Sequence, residues 1–173
     1  MFILTSKIFK LVKAIVISFI IAIFIINFMF QLVTIDGESM VPTLQNNDKL
    51  IIEKLSRRIK STKRNDIVVI KYPADARERI IKRIIAVAGD KVKIKDNILY
   101  INGKVINEHY KNENFMKDYD EALVPQDSIF VLGDNRNFSK DSRNIDIGFV
   151  KLNLLEGKAF IRLYPFNKMG RIR

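Results

Sequence analysis

The sequence contains no cysteine and only one histidine, His109, in 173 residues. Without thiols there is no disulfide, no cysteine nucleophile and no cysteine-ligated metal, and the cysteine count cannot identify the compartment. With one histidine, any histidine-based triad or multi-histidine metal site would have to be built around His109 alone. Its setting, Asn107-Glu108-His109-Tyr110, reads as a solvated loop or hairpin. No metal and no cofactor is expected. Nucleic-acid signatures are also missing: there is no zinc-finger spacing, no basic-zipper heptad and no glycine-aromatic RNP pattern. The formal net charge of +11 therefore fits a body resting against anionic lipid head groups better than one bound to nucleic acid. Basic runs such as Arg57-Arg58-Ile59-Lys60 read as solvated faces.

Charge is absent from Ala14 to Ile35, a stretch rich in Ile and Phe. As a helix these roughly 22 residues would extend about 33 Å, enough for a hydrocarbon core of roughly 30 Å. A cleavable leader has a shorter apolar region followed by a small-x-small site, and Phe28-Met29-Phe30-Gln31-Leu32-Val33 offers none. The segment reads as an uncleaved anchor. Lys7, Lys10 and Lys13 precede it with no acidic residue beside them, so the positive-inside rule places the N-terminus in the cytoplasm. Everything after Ile35 is then outside.

Past the anchor, the chain has the length of one modest folding unit. Short runs of β-branched and aromatic residues alternate with turn residues: Lys49–Ile52, Ile67–Tyr72, Val92–Lys95, Ile98–Ile101, Ser128–Leu132 and Ala159–Leu163. These read as strands. Asp96-Asn97 and Asn102-Gly103 separate consecutive runs as two-residue turns, the second a pair that accepts the positive φ angles of a tight hairpin. The polar stretch from Asn107 to Gln126 reads as a surface excursion or small cap, and a short helix is expected around Asn144 to Val150. The body is expected to be mainly antiparallel β.

Three segments carry chemistry. In Gly37-Glu38-Ser39-Met40-Val41-Pro42, glycine permits a sharp turn and proline fixes a φ angle, which holds Ser39 on a constrained bend next to the anchor. A serine near glycine and proline is ordinarily only a turn residue. As a nucleophile it would need a base to take its proton. In Arg79-Ile80-Ile81-Lys82-Arg83-Ile84, a strand would put Lys82 on one face with Ile80 and Ile84 and turn Arg83 the other way. An ammonium on an apolar face loses hydration, and its pKa falls. The ordinary alternative is a lysine that snorkels to solvent. The third segment runs from Gly133 to Arg143 and is dense in Asp, Asn, Ser and Arg. It reads either as a surface loop or as a source of hydrogen bonds and ion pairs that brace a site.

Taken in order, Ser39–Leu44, Asn47–Ile51, Lys82-Arg83 with Ala88-Gly89-Asp90, and Gly133-Asp134-Asn135-Arg136 with Ser139 and Asp141-Ser142-Arg143 resemble the four sequence boxes of the type I signal peptidases. These are the bacterial leader peptidases, serine proteases with a Ser/Lys dyad. The boxes cover most of the chain between Asp36 and Arg143. The resemblance implies an antiparallel β-sheet catalytic domain of the signal peptidase and SOS-repressor protease type with a small inserted cap. Residues 1–13 would be cytoplasmic, 14–35 the anchor and 36–173 the extracytoplasmic catalytic domain, with about 92–127 as the inserted β subdomain.

It further implies Ser39 as nucleophile and Lys82 as general base, and Ser139 hydrogen-bonded to the lysine amine. Asp134, Arg83, Asp141 and Arg143 become bracing ion pairs. Ile35, Met40, Ile80 and Ile81 would line pockets for small side chains at the first and third positions before the cut. The implied partners are secretory preproteins and the lipid bilayer. Some members carry a serine two residues before the nucleophile; here that position is Gly37, so oxyanion stabilisation falls to backbone, chiefly the Ser39 N–H. Two rival readings use the same residues. One is a self-cleaving repressor, against which the anchor and the missing DNA-binding region count. The other is a signal-peptidase-like assembly partner that does not cut, against which the presence of both Ser39 and Lys82 counts.

Overall fold

The computed structural model describes residues 2–56, 62–75, 77–111 and 116–172. The basic run Arg57–Lys60 lies outside the described residues. The chain starts with one long helix, α1 (Phe2–Met29). Its span Phe9–Met29 is long and apolar enough to cross a bilayer, and none of it is buried against the body. Ile, Val and Phe favour strands in water, but in hydrocarbon every backbone group must be satisfied within the segment, and a helix does that.

The helix ends six residues before the expected anchor boundary at Ile35. Phe30–Thr34 is a strand, β1, paired with β2 (Lys49–Glu53) from Phe30↔Glu53 to Thr34↔Lys49. The absence of charge could not reveal this break, because the residues stay uncharged while their hydrogen-bond partners change from local to distant. At the junction Lys54 contacts the helix end twice. Its backbone N–H donates to the Met29 carbonyl at 2.7 Å, and its ammonium donates to the Asn27 carbonyl at 2.7 Å.

The remaining strands are β3 (Ile67–Lys71), β4 (Arg79–Val87), β5 (Lys91–Lys95), β6 (Ile98–Ile101), β7 (Lys104–Val105), β8 (Tyr119–Leu123), β9 (Ser128–Leu132), β10 (Val150–Lys151), β11 (Leu155–Tyr164) and β12 (Gly170–Arg171). The larger sheet has the order β1-β2-β11-β3-β4-β9-β10, with β12 added to β11; the smaller has the order β7-β6-β5-β8. Every pairing among the described residues is antiparallel. Both expected hairpin turns form, with positive φ at Asp96, Asn97, Asn102 and Gly103.

Alternation along the central strands divides the core. Ile67, Val69 and Ile81 face one cluster with Ile35, Met40, Leu44, Leu50 and Ile52. Val68, Ile70 and Ile84 face another with Ile129, Val131 and Leu155. The smaller sheet contributes Val92, Ile94, Leu99 and Ile101 to a third cluster, which closes on Ile85, Phe130 and Leu132 of the larger sheet.

Two expectations fail locally. The residues from Asn144 to Val150 form turns, with the Ile147 and Gly148 N–H groups both donating to the Asn144 carbonyl, and not a helix. The excursion from Asn107 to Gln126 contains β8 and the buried residues Glu108 and Met116, so part of it is core; residues 112–115 lie outside the described set. His109 is exposed, as expected.

Candidate active site

Ser39 sits on the bend that follows β1. Gly37 adopts φ +97°, a value that suits glycine, and the bend closes with Val41 N–H on the Glu38 carbonyl at 3.1 Å. Met40 and Leu44, both fully buried, fasten it to the core, and the Leu44 N–H donates to the Met40 carbonyl at 2.9 Å. From the opposite side the loop after β9 is tied on: the Asn135 N–H donates to the Ser39 carbonyl at 3.1 Å and the Asn135 amide to the Glu38 carbonyl at 3.2 Å.

Lys82 comes from the middle of β4, where it pairs with Val68, and it is 3% exposed. Its Nζ lies 2.8 Å from Ser39 Oγ and 2.9 Å from its own strand's Ile81 carbonyl. Burial brings the Lys82 pKa from its ordinary 10.5 down to about 8, against the opposing pull of Asp141 and then Asp134. A substantial fraction of the amine is thus neutral in mildly alkaline solution. In that form the contact can reverse, with the hydroxyl donating to the amine lone pair.

Arg83, the next residue, points the other way. Its Nε and Nη2 bind the two Asp134 oxygens at 2.9 and 2.7 Å, Nη1 donates to the Asn65 carbonyl at 3.0 Å, and the guanidinium lies 4.0 Å over the Tyr110 ring. Thr43 Oγ1 donates to Asp134 Oδ2 at 2.5 Å, which links this pair to the Ser39 bend. Asp141 and Arg143 form a second forked pair, and Asp141 Oδ2 also accepts from the Gly133 N–H at 3.0 Å.

The structure therefore brings Ser39, Lys82, Arg83, Asp134, Asp141 and Arg143 together. Ser139 is different. Its hydroxyl is buried with no hydrogen-bond partner, because the Lys82 amine turns to Ser39 and to the Ile81 carbonyl instead. A cleft of about 310 Å³ contains Ser39 and Lys82 and is walled by Val33, Ile35, Val69, Ile80 and Ile81. Met40 does not line it; with 1% exposure it packs beneath the bend. A larger cavity of about 540 Å³, with Arg64, Asp66, His109 and Phe160 in its wall, holds neither Ser39 nor Lys82. Its Arg64 and Asp66 are already engaged by Asp90 and Lys158, and no serine or threonine is among its lining residues.

One pair in the site was only half signalled by the sequence, since Arg136 stands in the fourth box and Glu108 in none. Arg136 and Glu108 form a fully buried forked ion pair at 2.6 and 2.9 Å, and Arg136 Nε donates to the Gly133 carbonyl at 2.9 Å. Arg143 in turn donates to the Arg136 carbonyl at 2.7 Å. The loop beside Ser39 is thereby anchored to the segment that comes after the smaller sheet's β7. Glu108 lies 28 residues from Arg136 in a polar stretch without periodicity, which explains the missing signal.

Comparison with known proteins gives a consistent picture. Residues 8–164 match the family described as signal peptidase, peptidase S26. The chain is 41% identical over 167 residues to a probable signal peptidase I-2 of Synechocystis sp., covering 93% of this chain and 75% of that one. It is 36% identical over 179 residues to a signal peptidase I of Bacillus licheniformis, covering 96% and 94%. Among solved structures, a signal peptidase I from Enterococcus faecalis V583 matches with a TM-score of 0.51 and 36% identity, over 57% of this chain and 96% of that chain.

Proposed function

Because the chain belongs to the signal peptidase family, peptidase S26, we propose that it cleaves signal peptides from exported preproteins with Ser39 as nucleophile and Lys82 as general base. Family membership makes it a serine endopeptidase of signal-peptide processing, with signal-peptide-bearing preproteins as its substrates. The assignment of roles goes further, and one observation carries it: the buried Lys82 amine lies 2.8 Å from Ser39 Oγ with its pKa lowered to about 8.

In this reading the Ser39 oxygen attacks the scissile carbonyl carbon while neutral Lys82 takes the hydroxyl proton. Collapse of the tetrahedral intermediate breaks the C–N bond, and Lys82 returns the proton to the leaving amine. Water then hydrolyses the acyl-enzyme with Lys82 again as base. The Ser39 N–H serves the oxyanion. Arg83–Asp134 and Asp141–Arg143 hold the loops on either side in place, and Ser139 becomes a partner for the amine once substrate rearranges the site. The substrate lies extended along the cleft, where the aliphatic walls select small side chains at the first and third positions before the cut. The start of α1 faces the cytoplasm, its apolar part crosses the membrane, and the body from residue 36 lies outside, an orientation supported by Lys7, Lys10 and Lys13 near the N-terminal end of the helix.

The test uses full-length protein in lipid with a model preprotein. Wild type cleaves it, and Ser39→Ala and Lys82→Arg do not, since a guanidinium stays protonated. Binding without cleavage by wild type would identify an assembly partner instead. Protease added to intact, wall-stripped cells digests the body and spares the N-terminal lysines if the orientation is right.

A further inference from the structure

The side chains of α1 from Phe9 to Asn27 are all exposed, and none of the span is buried in the body. Its direction relative to the cleft is set where it joins. At that point helix becomes strand with no residue between, Met29 ending α1 and Phe30 opening β1. A change from helical to extended backbone is normally a soft place, because the last carbonyls of a helix have no partners within it. Here both sides are braced by two neighbouring residues of one strand end. Glu53 pairs with Phe30 on the strand side. Lys54 holds the helix side, through its N–H on Met29 and its ammonium on Asn27.

The last turn of α1 has no basic residue of its own. The cation that favours the negative end of the helix dipole is supplied by Lys54, from 27 positions away. The Phe30 ring also packs 6.1 Å from Phe160 of β11, which ties the first strand residue to the centre of the sheet.

Beyond the junction there is little slack. All five residues of β1 are in register with β2, and the Ile35 N–H and carbonyl continue the pairing to Asp48 and Asn47 at 2.9 Å each. Ser39 lies only ten positions beyond Met29. A five-residue strand is about 17 Å long, so the helix end and the cleft are separated by a stiff strut of roughly that length.

We infer that Lys54 is a positioning residue: by bracing α1 against β1 it fixes the height of the Ser39 cleft above the bilayer, and cleavage is thereby restricted to sites at a set distance from the substrate's own apolar segment. This rests on the signal-peptidase reading above. A preprotein held by its apolar segment presents its backbone at a height fixed by the intervening residues. A rigid enzyme reaches one height, whereas an enzyme hinged at Met29 reaches several. The chemistry at Ser39 is untouched by this device, so it concerns only substrates that are themselves in the membrane.

The experiment uses full-length enzyme in phospholipid vesicles with two kinds of substrate. One is a set of membrane-inserted preproteins in which the cut site is moved outward residue by residue from the apolar segment; the other is a short soluble peptide with the same cut site. Wild type is expected to show a narrow optimum on the set. Lys54→Met, which keeps the side-chain stem and loses the ammonium, raises cleavage of displaced sites relative to the optimal one by at least about threefold, while leaving the soluble peptide within about twofold. A flexible Gly-Ser insertion between Met29 and Phe30 does the same, and Lys54→Arg keeps the wild-type profile. An unchanged profile in both Lys54→Met and the insertion variant overturns the inference. So does a loss on the soluble peptide that parallels the loss on preproteins, which would mark a merely structural role. Wild type that cleaves neither substrate would refute the signal-peptidase reading itself.

Discussion

Gly133 and Ser139 are packed so closely that a Cβ on Gly133 would lie 2.3 Å from the Ser139 hydroxyl and 2.5 Å from the Ser39 carbonyl oxygen. Gly133→Ala must therefore push the Gly133–Arg143 loop away from the nucleophile bend. Overpacking of this kind costs roughly 1–3 kcal/mol. A displacement of the Ser39 backbone should lower kcat/KM by at least about tenfold. Urea unfolding and peptide kinetics measure the two effects, and wild-type values for both would show that the loop does not position Ser39.

With Lys82 as the proposed general base, the pH dependence of cleavage should follow its amine. With Lys82 titrating near 8, kcat/KM should rise with pH along a limb centred there and be weak in acid. Asp141 holds that pKa up, so Asp141→Asn removes a negative charge and should move the limb to lower pH. A limb that shifts upward instead would contradict the charge assignment.

Stability should move in the opposite sense to the usual lysine. Below about 8 both folded and unfolded chains keep the Lys82 proton, and the folded state bears the full cost of burying the charge. Between about 8 and 10.5 the folded state releases its proton first, the unfolded state binds more protons, and stability rises with pH. The gap between these values corresponds to roughly 3 kcal/mol. Lys82→Met should thus be more stable than wild type near neutrality, by up to about that amount, with the advantage fading above pH 8. Parallel denaturant titrations of both proteins in detergent would measure the difference.

The Glu108–Arg136 pair, which anchors the loop beside Ser39, should also be visible in stability. Glu108→Ala leaves a guanidinium buried without its carboxylate, at a cost of about 3–5 kcal/mol. Replacing both residues by methionine should recover much of that loss, since the desolvation penalty disappears with the charges. If the double variant were no more stable than Glu108→Ala, the pair would not be the source of the effect.

Specificity should be set by the aliphatic walls. A leucine in place of alanine at the first or third position before the cut should cost wild type at least about tenfold in kcat/KM, roughly 1.4 kcal/mol. Ile80→Ala or Ile81→Ala enlarges the cleft and should recover part of that loss for one of the two positions. Equal discrimination by all three enzymes would mean that other residues form the pockets.

Much of this architecture could be read in advance because it depends on local pattern. The β-branched runs from Lys49 and Ile67 became strands, and Asn102-Gly103 became the turn its φ angles allow. The residues of the four boxes met because they flank adjacent strands, β4 and β9, and the bend after β1. What escaped depends on distant partners. The helix ends at Met29 because β2 is available to pair with Phe30, and nothing local announces it. The resemblance implies Met40 as a pocket residue, yet its side chain is buried in the core with Leu44. Tyr119–Leu123 is too polar to be recognised as a strand until β5 pairs with it.

The strand order has a consequence for biosynthesis. β2 and β3 are consecutive in the chain, but β11 lies between them in the sheet, with Lys158 opposite both Glu53 and Val68. A growing polypeptide that has exposed Ser39 and Lys82 still lacks the strand that unites their supports. In the proposed function, the supports of Ser39 and Lys82 would therefore be joined only once nearly all of the body has been made.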